Sequence, residues 1–154
     1  MSDDATFEDG AEAPLRLQAL DAEDLKVISA LVQDAILPAS EMRYDRKRRR
    51  FAMLINRFRW EEQRSPAAER VRTLLLIDDV LAVASQGVPR DDPDLVLSVL
   101  ALEFETGEDG AGAISIILAG DGEIRVQVEC LSVMLRDVTR PYRAISGQTP
   151  RHEA

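Results

Sequence analysis

One short stretch of the chain limits its fold more than any other. Residues 113 to 129 read Ala-Ile-Ser-Ile-Ile-Leu-Ala-Gly-Asp-Gly-Glu-Ile-Arg-Val-Gln-Val-Glu. Ile114, Ile116 and Leu118, then Ile124, Val126 and Val128, recur at the period of two that marks strands with one buried face. Gly120-Asp121-Gly122 between them tolerates positive φ, as a tight hairpin turn requires. An isolated hairpin is marginal in water, so this one needs further strands or a helix over its apolar side.

The rest of the chain supplies both. Apolar segments bounded by turn residues predict strands near 40–45, 48–59, 70–77, 80–86 and 95–105, which with 113–119 and 123–129 make a sheet of about seven strands. Leu131, Val133 and Leu135 alternate in a way that suits a further strand, although so short a piece also fits a helical turn. Asp21 reads as an N-cap, Glu23 and Asp24 put negative charge in a first turn, and Leu25, Ile28, Leu31, Val32 and Ala35 follow at helical spacing. This predicts a helix over 21–36, stopped near Ala35 to Leu37 by Pro38. The fold class is therefore α+β, with one N-terminal helix packed on a curved, mostly antiparallel sheet. A partly open barrel or a pleckstrin-like arrangement would satisfy the pattern. Residues 71–83 and 124–135 resemble one another loosely, each with a polar interruption midway, which raises a decayed duplication as one origin.

A chain of 154 residues supports one core rather than two. Residues 1–13 carry Asp3, Asp4, Glu8, Asp9 and Glu12 with no basic residue, and read as a disordered acidic arm. Residues 146–154 read as a disordered tail, leaving 14–145 as a single domain. No stretch approaches the roughly 20 apolar residues of a membrane span. The start lacks the basic and apolar regions of a secretory signal, and Cys130 is the only cysteine, so a cytoplasmic location is expected.

The formal charge of −9 disfavours nonspecific nucleic-acid binding by the molecule as a whole, but the charge is unevenly placed. Arg43 to Trp60 holds eight basic residues against Asp45 alone, leaving eleven basic and twenty-seven acidic residues elsewhere, a division of +7 and −16. Arg43, Tyr44, Arg46, Lys47, Arg48, Arg49 and Arg50 are the candidate binding residues. Guanidinium forks suit carboxylate or phosphate, and Tyr44, Phe58 and Trp60 could stack beside them, so an anionic protein surface or RNA is the implied partner. The plainer reading makes Asp45 to Arg48 a solvated turn, pairs Arg50, Arg57 and Arg59 with acids on neighbouring strands, and packs the aromatics in the core. A third reading folds the acidic arm over the basic strand.

Catalytic equipment is sparse. The single histidine, His152, falls in the tail, and Cys130 among Val126, Val128, Leu131 and Val133 reads as a small buried thiol without an activating neighbour. The acid pairs Glu61-Glu62, Asp78-Asp79, Asp91-Asp92 and Glu108-Asp109 all fall at predicted turns. Asp78-Asp79 is the pair that flanking strands could bury, and a small enzyme with a carboxylate site there is the competing class. No phosphate loop, dinucleotide fingerprint or nucleophile elbow is present, and no catalytic residue, metal ligand or cofactor is assigned. A noncatalytic interaction or scaffold protein is the favoured function, with RNA binding as an alternative.

The stretch from Pro14-Leu-Arg-Leu-Gln-Ala-Leu-Asp to Arg57-Phe-Arg-Trp, with Val126-Gln-Val-Glu-Cys-Leu and Leu135-Arg-Asp-Val, resembles an uncharacterised alphaproteobacterial family, domain of unknown function family 2948. The likeness covers roughly 14 to 143. It implies no activity, ligand or catalytic residue.

Overall fold

A computed structural model describes residues 14–59, 69–89, 91–138 and 142–143. The arm predicted at 1–13, the tail predicted at 146–154, Trp60, Glu61-Glu62 and His152 lie outside the described residues.

The chain runs β1 (Arg16–Ala19), α1 (Ala22–Leu31), β2 (Ile36–Pro38), a single 3-10 turn (Ala39–Glu41), β3 (Met42–Asp45), β4 (Arg50–Phe58), β5 (Glu69–Ile77) and β6 (Val80–Gln86). It continues through β7 (Val96–Thr106), β8 (Gly112–Leu118), β9 (Glu123–Val128), β10 (Val133–Asp137) and β11 (Tyr142–Arg143). Among the described residues eleven strands form one antiparallel sheet in the order β1-β10-β5-β4-β2-β7-β8-β9-β6, with β3 beside β4 and β11 beside β5. The expected α+β class with a mostly antiparallel, unclosed sheet holds, but the count of about seven strands falls short. The missed strands are β1, of four residues, β2, of three, and β11, of two, lengths at which alternation leaves almost no pattern.

The predicted helix is too long. Asp21 caps it as expected, its Oδ1 accepting the Asp24 N–H at 2.9 Å. It ends at Leu31, and Asp34 then takes a left-handed φ of 66° that sends Ile36–Pro38 into the sheet against β7. Val32 and Ala35 keep the helical spacing and are fully buried, but they pack from the turn. Tertiary pairing takes over there: Asp34 N–H donates to Val99 O and Val99 N–H to Ala35 O. Leu25 and Ile28 anchor α1 on the core, each worth about 1.5–3 kcal/mol of apolar burial. The Ser29 hydroxyl oxygen accepts the Leu102 N–H from β7.

The β8–β9 hairpin forms as predicted, with Gly120 and Asp121 at φ 81° and 69° and Leu118 N–H bonded to Gly122 O. Leu131, Val133 and Leu135 belong to the strand alternative, since Val133 and Leu135 point inward from β10. The two loosely similar stretches prove to be neighbours. β5 bends at Asp78-Asp79 into β6, β9 bends at residues 129–132 into β10, and the two bent ribbons pair along both arms, β5 with β10 and β6 with β9. At the shared bend Asp78 N–H donates to Ser132 O and Glu129 N–H to Asp79 O.

Inward positions of β4 are Phe51, Met53, Ile55 and Arg57, so strand parity places an arginine on the core face. Asp137 follows Val133 and Leu135 on the inward face of β10, and the two charges meet with side chains 0% and 1% exposed. Arg57 Nη2 donates to Asp137 Oδ1 at 3.0 Å and Oδ2 at 3.2 Å, and Thr73 Oγ1 donates to Oδ1 at 2.8 Å. Leu15 N–H donates to Oδ2 at 2.8 Å, which ties β1 to the same carboxylate. Every charge in this cluster has hydrogen-bonding partners, the condition under which an ion pair tolerates full burial.

Candidate functional site

The basic stretch folds as the β3–β4 hairpin, with Met42 facing Met53, Arg43 facing Ala52, Tyr44 facing Phe51 and Asp45 facing Arg50. Arg46 to Arg49 form the turn between these strands. Asp45 supports it by accepting the Arg48 N–H at 3.2 Å, and Arg49 completes it at φ 56°. The predicted solvated turn is therefore present, and the seven candidate residues are brought together at one end of the sheet.

Alternation along β3 and β4 divides them between two faces. Arg43, Asp45, Lys47, Arg48, Arg50 and Ala52 line an outer concavity of about 480 Å³. Tyr44, Arg46 and Arg49 face β6 across a second concavity of about 580 Å³, shared with Val80, Leu81, Ala82 and Val83. The Arg46 guanidinium lies 5.8 Å from the centre of the Tyr44 ring, within cation–π reach.

Part of the charge is matched internally, as the plainer reading anticipated for Arg50 and Arg57. Arg50 Nε donates to Asp78 Oδ1 at 2.8 Å, and Arg49 Nη2 donates to Glu129 Oε1. The Glu129 hydrogen bond raises the Arg49 pKa further above its ordinary value. Arg48 keeps only a 3.9 Å approach to Asp45 and is three-quarters exposed. Arg43, Arg46 and Lys47 are exposed and make no ion pair among the described residues. The outward cationic surface is thus Arg43, Lys47 and Arg48, with Arg46 exposed on the side toward β6, while Arg49 and Arg50 fasten the hairpin to the bend.

Of the aromatics named for stacking, Tyr44 and Phe58 are partly engaged by the protein, and Trp60 lies outside the described residues. Phe51 is 4% exposed, Tyr44 is half-buried against the core, and Phe58 lies under the guanidinium of Arg70 at 3.9 Å. Arg59 is buried.

Asp78 and Asp79 occupy a turn as expected, but their carboxylates turn to different partners. Asp78 takes Arg50, and Asp79 Oδ2 accepts the Cys130 thiol at 3.2 Å. Cys130 corrects the sequence reading: it is exposed, because the β9–β10 bend lifts it out of the alternation that buries its neighbours. Its thiol pKa is raised, first by the hydrogen bond to Asp79, then by desolvation and the charges of Asp79 and Glu129. Asp92 caps a local turn through the Asp94 N–H, and Asp109 sits in a turn at φ 55°. Among the described residues no three His, Cys, Asp or Glu side chains are grouped to hold a metal, and no helix is long and apolar enough to cross a membrane.

The buried Arg57–Thr73–Asp137 cluster is what sequence reading found only in part. Arg57 was expected to pair with an acid, but Asp137 was not singled out, although its inward parity after Val133 and Leu135 carried the signal.

A family model described as protein of unknown function, DUF2948, matches residues 15–152, and the chain belongs to that family. No curated protein and no solved structure matches the chain.

Proposed function

We propose that this member of the DUF2948 family is a noncatalytic, cytoplasmic interaction protein that uses the β3–β4 hairpin to contact an anionic protein surface. The observation that carries the reading is the outer concavity, where Arg43, Lys47 and Arg48 project beside Ala52 with Asp45 as the only acid among the described residues of the lining. Internal carboxylates satisfy Arg49 and Arg50, which hold the hairpin in place, and leave the outer cations for a partner. A rigid hairpin presenting guanidinium forks suits surface carboxylates. Single-stranded RNA would call for accessible ring faces, and the rings of Tyr44 and Phe58 are each covered by an arginine of the protein itself. A cytoplasmic setting accords with the lone cysteine.

Polyglutamate and a single-stranded RNA oligonucleotide are the test ligands. The intact chain should bind polyglutamate with an affinity that falls as salt rises. Arg43→Glu with Lys47→Glu should weaken it by roughly tenfold or more without moving the melting temperature. These positions suit the test better than Arg49, whose reversal would place two glutamates together at residue 129. Binding to RNA but not to polyglutamate would overturn the reading.

A further inference from the structure

Among the described residues β6 ends the sheet path and pairs with β9 alone. The other side of such a strand presents unmatched N–H and C=O groups, a template for another chain that proteins ordinarily blunt with charge, proline or brevity. Val80-Leu81-Ala82-Val83-Ala84-Ser85-Gln86 has none of these: seven residues, no charge, no proline, and a single register shift between Val80 and Ala82. The remaining margins are guarded. β1 is four residues long and opens on Arg16, and β3 carries Arg43 and Asp45 within four residues.

Across from β6 stands β3, yet no ladder joins them. One hydrogen bond, Val80 N–H to Arg49 O at 2.9 Å, crosses at the bend, and beyond it the strands separate around two concavities that share Val83. The more apolar of these, about 280 Å³, is lined by Met42, Phe51, Val83, Val88 and Ile124 among others. The other places Leu81, which is 54% exposed, near Tyr44 and the unmatched cation of Arg46.

We propose that the opening between β6 and β3 receives an extended segment of a partner protein with apolar residues at alternate positions and, on that same side at the end nearest the bend, one acidic residue. The segment adds to β6 as a further strand, sets its apolar side chains toward Met42, Phe51 and Val83, and brings a carboxylate to Arg46. Backbone pairing supplies the attachment, while the groove and Arg46 read the side chains on one side of the segment. This site lies on the opposite face of the hairpin from the outer concavity and does not rest on the function proposed above.

An eight-residue synthetic peptide of alternating valine and threonine, with glutamate replacing the valine nearest one end, is the probe, with the intact chain as receptor and amide hydrogen exchange as the readout. Bound peptide should protect amides within 81–86, and the same peptide N-methylated at alternate residues should bind roughly tenfold more weakly or worse, as expected when backbone hydrogen bonds are lost. Ala84→Pro and Ser85→Pro form a matched pair, because adjacent N–H groups point to opposite edges of a strand. The variant whose proline faces the open edge keeps its ladder with β9, melts like the parent, and should lose the peptide. Retained peptide binding by that folded variant, equal binding of the methylated peptide, or equal protection by polyglutamate would overturn the proposal. Protection of 81–86 in the protein alone would also overturn it, assigning the edge to a second copy if it grew with protein concentration and to the chain's own termini if it did not.

Discussion

Arg57 and Asp137 are separated by 80 positions and come together with no exposed charge. Removing one member takes a buried charge partner from the other, so Arg57→Ala or Asp137→Ala should each cost about 3–5 kcal/mol of stability, read by denaturant unfolding. Thr73→Val removes a single hydrogen-bonding member and should cost less, about 1–2 kcal/mol. Cys130 carries a different prediction. Its pKa is raised, so the folded state holds the thiol proton more tightly than the unfolded chain. That contribution to stability is present below the ordinary thiol pKa and is lost as pH rises through the folded value. Asp79→Asn removes the full charge and the strongest acceptor, so Cys130 should react with iodoacetamide faster in the variant than in the parent at pH 8. An unchanged rate would show that Asp79 does not govern the thiol. At this scale the sequence revealed what alternation could reveal. Arg57 sits two residues past Ile55 in an inward series, whereas its partner depends on which distant strand lies alongside, and no local pattern encodes that.

Elements fared unevenly for equally physical reasons. The N-terminus of α1 was legible because a cap is a local chemical event, and Asp21→Ala should lower stability by about 1 kcal/mol in thermal or denaturant melts. Its C-terminus was not, because Val32 and Ala35 continue the helical period while Asp34 and the pairing with Val99 pull the backbone into the sheet. The β8–β9 turn was legible from Gly120-Asp121-Gly122. The far end of the β7–β8 pair holds a tighter constraint, since a Cβ at Gly112 would lie 2.3 Å from Glu105 O and 2.8 Å from Phe104 ring carbons. Gly112→Ala should therefore force the pair apart at that end, costing about 1–3 kcal/mol in denaturant titrations. The candidate hairpin was found by composition, but composition could not divide it. Only the ion pairs to Glu129 and Asp78 in the folded hairpin separate Arg49 and Arg50, which serve as fasteners, from the outward cations Arg43, Lys47 and Arg48.

Across the whole molecule, a net charge of −9 coexists with a cationic hairpin at one end of the sheet. Long-range attraction of an anionic partner toward that end should raise the association rate and decline with ionic strength, while dissociation responds less. The sheet margins could not be read from sequence, because whether a strand ends a sheet depends on every other pairing. The paired bends at Asp78-Asp79 and residues 129–132 place a further restriction on the chain. Two ribbons change direction at a common level and clasp each other there through Asp78 with Ser132 and Glu129 with Asp79. Losing one residue from either bend would rotate its outgoing arm by half a pleat relative to the other, turning Leu135 and Asp137, or Val83, to the wrong side. Length changes in one bend are thus tolerable only when the opposite bend changes in step, so these two sites, 50 positions apart, should drift in length as a single unit.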